Sequence, residues 1–365
     1  MKLVLENGMV FKGNNFGSNK KQIGELCFVT SMVGYQDIIS DPSYYDKIVC
    51  MSYPLIGNYG LSDDDYDFKN IHVRGYVVKE NNNLPSNFRS TRVLSDAMEE
   101  NGVSGIEGID TREIVRFLRD NGLVKAMITN DEDDVEACVE ELKNYTEEPH
   151  QISKVSCKKV WYSRTSNPLK TVVIVDLGLK SSLVKYLNSY GINVIVVPYN
   201  YKLEQISKFN PNGVIISHGP GNPNVYTEII ELINNLKGTY PLLGLGLGAE
   251  LVALSYGAKV TKMTHGHQGA NFPIRNVETD KIEIGSQNHF YSINLDEVKE
   301  LKVTHENVLD KDVEGFIDTT NKVLGIHYLI QETLNKDENV VNRFINLMKS
   351  EERTCQEEQI LKKSW

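Results

Sequence analysis

The residues able to do chemistry gather in the second half of the chain, and the most telling stretch is residues 241–254, PLLGLGLGAELVAL. Pro241-Leu242-Leu243 is an apolar run of buried-strand type. It passes through Gly244, Gly246 and Gly248, which alternate with leucines, into Ala249-Glu250-Leu251-Val252-Ala253-Leu254, a strongly helix-forming run. In α/β enzymes such an elbow lifts one residue into a strained, exposed position at the N-terminus of the next helix. That position ordinarily carries a Ser or Cys, activated by a base and by the helix end. Here the tip is Gly246, and residues 241–254 contain no Ser, Thr or Cys. The pattern predicts the architecture of a nucleophile site without its nucleophile.

Competing readings of the same glycines are a dinucleotide loop and plain close packing. Gly244, Gly246 and Ala249 fit G-x-G-x-x-A, but that loop needs an acid about 20 residues on for the ribose. No Asp or Glu lies between Glu250 and Glu278. Two other stretches favour a site. Ser217-His218-Gly219-Pro220-Gly221-Asn222-Pro223 is a turn whose backbone N–H groups would make an anion-binding nest for an oxyanion or a substrate backbone. Ser286-Gln287-Asn288-His289 follows a strand-like KIEIG and would place amide donors at a strand end; alone it reads as a polar β-turn. His265 and His267, in THGHQG, have no Cys, Asp or Glu close by, so a solvated loop is the expectation and no metal site is expected. His327, in GIHYLIQE, follows an apolar strand and is the natural base opposite the elbow. A third group normally orients such a base. Its local candidates, Gln331 and Glu332, lie beyond an apolar Tyr328-Leu329-Ile330 run.

The elements that must position these residues read as α/β. From residue 170 onward the chain alternates strand and helix. Thr171 to Val175 is a continuous β-branched run, as in a strand covered on both faces. Leu179, Leu183, Tyr186, Leu187 and Tyr190 form a helix stripe ended by Gly191, and Val194 to Val197 is the next strand. Gly213 to Ile216 leads into the glycine-proline turn, and a helix at about residues 226–236 precedes the elbow. This alternation implies a mostly parallel sheet with flanking helices and ligands at the carboxyl ends of its strands. Residues 1 to about 90 are strand-rich: Leu3 to Leu5, Met9 to Phe11, Leu26 to Val29, Ile48 to Met51 and Val73 to Val78. The acidic stretch 62–67 reads as a solvated loop. Asp110 with Glu113 is a capping-box signal for a helix that Gly122 ends, and a second helix covers residues 133–143. The expected division is an α+β N-terminal domain over residues 1–150, a linker over 151–169, the α/β domain over 170–350, and a charged tail over 351–365 with a frayed helix.

Composition sets the class. A chain of 365 residues exceeds one typical domain. A net charge of −10 and a pI near 5.4 argue against a nucleic-acid footprint. No apolar run approaches the roughly 18 residues of a membrane span, and the N-terminus reads as strand–turn–strand rather than a signal peptide. Five scattered cysteines form no CxxC pair, which fits reduced thiols and a cytoplasmic protein.

Taken together, these stretches resemble the small subunit of carbamoyl-phosphate synthase, a class I glutamine amidotransferase. The resemblance covers nearly the whole chain: TSMVGYQDIISDPSYYDKIV, YPLIGNYG and GIDTREIVRFLRDNG in the first half, and VVIVDLGLK, ISHGPGNP, the elbow, HGHQGANFPI and SQNH in the second. It implies a large-subunit partner that uses ATP, Mg²⁺ and bicarbonate, with no cofactor in this chain. In such a pair the small subunit hydrolyses glutamine and passes ammonia through a tunnel. The family elbow G-I-C-L-G-H-Q puts the nucleophilic Cys on Gly246, the following His on Ala249, and the glutamine-binding Gln on Glu250. Its H-P-E falls on His327-Tyr328-Leu329, so the base is kept and its orienting Glu is replaced. Its N-H-G-F falls on Asn288-His289-Phe290-Tyr291, so a Gly has become Phe290. Ser31, Gly219, Gly221, Leu247 and Asn288 keep the family's glutamine-pocket residues.

The resemblance therefore implies a small chain with a silent glutaminase centre, serving arginine or pyrimidine synthesis through its large subunit, with glutamine binding itself in question. Two alternatives stand beside it. In one, glutamine is hydrolysed through another nucleophile, Cys27 or Ser31; in the other, the chain acts as a stand-alone regulatory protein.

Overall fold

The computed structural model describes residues 1–63, 67, 70–330 and 340–349. Gln331, Glu332, Cys355, the charged tail and much of the acidic 62–67 stretch lie outside the described residues. The chain forms two compact units. The first comprises Met1–Gln151 with Lys262–Ala270, and the second Ile152–Thr261 with Asn271–Trp365.

The first unit is built on an eight-stranded mixed sheet. Strands Gln22–Val29, Lys47–Met51, Gly75–Val77 and Ser104–Glu107 run parallel in that order. Lys2–Leu5 and Val124–Thr129 add antiparallel to the Gln22–Val29 side. Leu26, Ile48, Val77, Ile106 and Ile128 share one apolar core with Ile114 and Leu118 of helix Thr111–Asn121. That helix starts where the sequence places its cap: the Asp110 carboxylate accepts from the backbone N–H groups of Arg112 and Glu113, each at 3.1 Å.

The second unit is a ten-stranded sheet. Its centre is five parallel strands in the order Ile192–Pro198, Lys170–Asp176, Gly213–Ile216, Leu242–Leu245 and Val323–Ile326. Antiparallel strands Val313–Asp318 and Lys302–Asn307 extend one side. On the other, Trp161–Ser163 pairs antiparallel with Ile192–Pro198, so part of the period-less stretch 151–169 is an edge strand. The β-branched run at 171–175 is continuous because it feeds two cores. Val173 and Val175 pack with Ile229, Leu232 and Ile233 of helix Thr227–Leu236. Val172 and Ile174 pack with Leu183 and Leu187 of helix Ser181–Ser189 and with Phe344. A strand buried on both faces has no polar alternation to show.

Two local expectations are overturned. Ser286-Gln287-Asn288-His289 is not a turn or a strand end but lies inside the strand Ile282–Asn294. Gln287 and His289 are buried there, so polar side chains occupy positions where the period-2 signal would need apolar ones. His265 and His267 lie in the strand Lys259–Asn276, not in a solvated loop. His267 is buried, and the His265 ring stacks on Phe28 with centroids 6.2 Å apart.

Candidate active site

Three adjacent parallel strands end together, and the residues following them make the site. Gly213–Ile216 runs into Ser217 and His218, Leu242–Leu245 into Gly246, and Val323–Ile326 into His327. The carboxyl edge of a parallel sheet is where the chain reversals leave room for a ligand.

Gly246 is the N-cap of helix Leu247–Ser255 and holds φ 53°, ψ −117°. This is the left-handed conformation of a nucleophile elbow, which glycine adopts without the penalty a Cβ would incur. Its N–H donates to the Ile326 carbonyl at 2.9 Å, and its carbonyl accepts from Ala249 and Glu250 at 2.8 and 3.1 Å. The tip is thereby tied to the residue before His327. Gly248 serves packing instead: a Cβ there would run into the Ile216 carbonyl of the neighbouring strand. Close packing, one reading of these glycines, thus describes Gly248.

A side chain on Gly246 would meet His218. A Cβ at the tip would stand 2.9 Å from His218 Cδ2, 3.6 Å from its Cγ and 3.7 Å from its Cβ. The imidazole of the glycine-proline turn, itself buried, thus lies against the place that a side chain on Gly246 would take. The turn is braced by Ser217 Oγ, which accepts from Leu177 N at 2.9 Å and donates to the His218 carbonyl at 2.9 Å. Tyr226 donates its hydroxyl to the Pro220 carbonyl at 3.1 Å. Gly219 and Gly221 sit within this turn.

His327 is buried, and its Nε2 lies 2.9 Å from Glu250 Oε1. Sequence reasoning left this base without an orienting group, because Leu329 stands where the family has Glu. The structure places an acid from the elbow helix against the ring instead, on Nε2 and not on the Nδ1 that an orienting acid holds. Glu250, one helical turn past Gly246, reaches the imidazole that the nucleophile would need. Burial by itself would lower the His327 pKa, but the hydrogen bond to Glu250 and the charges of Glu250, Glu314 and Asp312 outweigh it and lift it to about 9. Burial pushes the Glu250 carboxyl up, against the pull of His327. The contact with Glu250 occupies the ring nitrogen that a nucleophile's proton would need. The signal for this pairing was a lone acid in an otherwise apolar helix, four residues after the tip.

On the other face of His327, the His289 ring stacks with centroids 3.7 Å apart and planes 8° from parallel. His289 Nε2 faces two further buried carboxylates, Asp312 Oδ2 at 3.7 Å and Glu314 Oε1 at 3.8 Å. Leu329 donates its N–H to the Ser286 carbonyl at 2.8 Å, joining the end of the base segment to strand Ile282–Asn294. Of the remaining expected pocket residues, Leu247 opens the elbow helix and is buried, Phe290 is buried, and Asn288 and Tyr291 are half-buried on Ile282–Asn294. Ser31 lies in the first unit, half-buried just after strand Gln22–Val29.

Cys27, the thiol offered as a replacement nucleophile, is fully buried in the core of the first unit. Burial pushes it up to about 12. A thiol with so little thiolate is inert.

Comparison with known proteins matches both halves of the chain. Residues 3–128 match the family model described as carbamoyl-phosphate synthase small chain, CPSase domain, and residues 173–328 match glutamine amidotransferase class-I. The carbamoyl phosphate synthase pyrimidine-specific small chain of Bacillus subtilis is 39% identical over 96% of this chain and 97% of its own length. The carbamoyl phosphate synthase small chain of Fusobacterium nucleatum is 42% identical over 86% of this chain and 87% of its own. Among solved structures, a glutamine amidotransferase from Thermotoga maritima covers 51% of this chain and 85% of its own with TM-score 0.37 at 17% identity.

Proposed function

The chain belongs to the carbamoyl-phosphate synthase small-chain family, and from that premise we propose that it is a synthase small chain whose own glutaminase centre is silent. It pairs with a large subunit that brings ATP, Mg²⁺ and bicarbonate, and it supports or tunes carbamoyl phosphate formation from ammonia for arginine or pyrimidine synthesis. The single observation that carries this is the elbow: Gly246 has nucleophile geometry and no side chain.

The surrounding changes agree with that vacancy. No thioester can form on a glycine. Loss of one member of a catalytic triad already costs most of its rate, about 10⁶-fold in a protease example. The base is held by Glu250, which also presents a carboxylate where an amide would both donate to and accept from glutamine. Among the described residues, the atoms nearest the vacant position belong to His218 and not to a Ser, Thr or Cys. Hydrolysis through Cys27 is disfavoured by its burial.

The test is to purify the chain with its large subunit and measure carbamoyl phosphate formation from glutamine and from ammonium. Ammonium supports turnover, and glutamine stays at background. Glutamine-supported turnover clearly above background overturns the reading, and failure to co-purify with any large subunit favours the stand-alone regulator.

A further inference from the structure

Beside His327 the second unit holds a cluster of buried acids and imidazole to which the glutaminase argument gives no chemical role of its own. Strand Ile282–Asn294 carries His289, and strand Val313–Asp318 carries Glu314, with Asp312 just before it. The side chains are sealed from solvent: relative exposures are 0% for Glu314, 4% for His289 and 7% for Asp312. One donor atom from each lies within 4.8 Å of the others. The His289 Nε2 distances of 3.7 and 3.8 Å are too long for ordinary hydrogen bonds. They are close to the spacing of about 3.4 Å between ligands placed tetrahedrally around a cation with bonds of about 2.1 Å.

A second observation points into the same space. Asp312 Oδ1 accepts from Ser292 Oγ at 2.5 Å, which fixes the carboxylate, whereas Oδ2, the oxygen facing His289, is buried with no hydrogen-bond partner. A buried carboxylate oxygen without a hydrogen-bond partner is costly and favours a cation beside it. His327 gives it no hydrogen bond: its Nε2 is held by Glu250 and its Nδ1 has no hydrogen-bond partner.

We propose that His289, Asp312 and Glu314 bind one first-row divalent cation of the manganese, iron, cobalt and zinc class. One imidazole nitrogen and two carboxylate oxygens suit these metals; a calcium site is built from oxygens alone, and a soft monovalent ion asks for sulfur. The cation lies between the two strands and satisfies Asp312 Oδ2. Spacing in the sequence does not announce the site, because His289 and the two acids are more than 20 residues apart and on different strands. The inference does not depend on the glutaminase being silent.

The experiment uses the full chain, stripped with chelator, desalted and titrated with Mn²⁺, Co²⁺ and Zn²⁺ by calorimetry, with thermal melts alongside. One equivalent binds per chain and raises Tm, since a ligand that binds only the folded state stabilises it by mass action. Asp312→Asn and Glu314→Gln each weaken binding at least about tenfold, while Glu297→Gln, an exposed acid elsewhere, leaves it unchanged. In the unaltered chain, bound Mn²⁺ broadens the imidazole resonances of His289 and of His327 stacked on it, which keeps the proposal testable if a variant fails to fold. Three results overturn it: no stoichiometric binding of any of the three ions, binding indifferent to both acid substitutions, or a cobalt–thiolate charge-transfer band placing the ion on a cysteine.

Discussion

Gly246 at φ 53°, ψ −117° occupies a conformation that costs a residue bearing a Cβ about 1–3 kcal/mol. Gly246→Ala must also push His218 aside, since its ring carbon would be 2.9 Å from the new methyl group. The substitution is therefore expected to lower stability by about 1–3 kcal/mol, read from urea midpoints with an unchanged m-value; a neutral result would mean that His218 does not fill the space. Glu250 and His327 call for a different measurement. Removing one partner of a buried ion pair typically costs about 3–5 kcal/mol, because the other is left uncompensated. Glu250→Leu should cost that much, and His327→Leu added to it should recover a large part. A double-mutant cycle reads the coupling directly. If the two losses simply add, the contact at 2.9 Å is not energetically a pair.

At the scale of elements, the strands and helices around the site could be read because each obeys a local rule. The two-faced run at 171–175, the Asp110 cap and the helix-forming run after Gly246 all specify their elements from side chains alone. Strand Ile282–Asn294 could not be read that way, since buried Gln287 and His289 erase its alternation. The same polar residues hide the cluster they build. Contacts such as Glu250 with His327, 77 positions apart, depend on strand order, which no local window contains. Pairing between strands also creates a charge network in the first unit. The register of Gln22–Val29 with Lys47–Met51 sets Glu25 opposite Lys47, whose Nζ lies 2.7 Å from Glu25 Oε2 and 2.8 Å from Glu147 Oε1, and Lys262 pairs with the other oxygen of Glu25. Burial would raise the Glu25 carboxyl, but Lys47 and Lys262 outweigh it and hold it below its ordinary value of 4.5. A carboxyl depressed in the folded state contributes stability above its unfolded pKa and loses it as pH falls through the folded one. Stability should therefore decline as pH drops below 4.5, and Glu25→Gln should flatten that decline in urea unfolding series. An equally steep acid limb in the variant would assign the decline to other groups.

At the scale of the whole molecule, the family framework extends far beyond the altered site. The two family models together take in residues 3–128 and 173–328, and identity to the Bacillus subtilis small chain runs over 96% of the chain. Substitutions at the centre thus sit inside a scaffold that still carries the elbow, the glycine-proline turn and the base at the ends of three neighbouring strands. If the proposed silence is confined to the centre, it is reversible there, and the order of reversal is constrained. Triad members act as a unit, so restoring one without the others gains little. Gly246→Cys alone brings a thiol against His218 and opposite a base engaged by Glu250, and should leave glutamine-supported turnover of the complex at background. Adding Glu250→Gln removes the carboxylate charge beside the imidazole and restores an amide to the pocket, Leu329→Glu restores the family's orienting acid, and Phe290→Gly restores the family's close approach. Only the combined chain should form a covalent adduct with a glutamine-analogue electrophile and lift glutamine-supported carbamoyl phosphate formation above background, with ammonium-supported turnover measured in parallel to show that the complex is intact. Activity from Gly246→Cys alone would mean that Glu250 and Leu329 are not part of the loss. A combined variant that binds its large subunit, uses ammonium and still ignores glutamine would mean that the change reaches past these four positions into the scaffold itself.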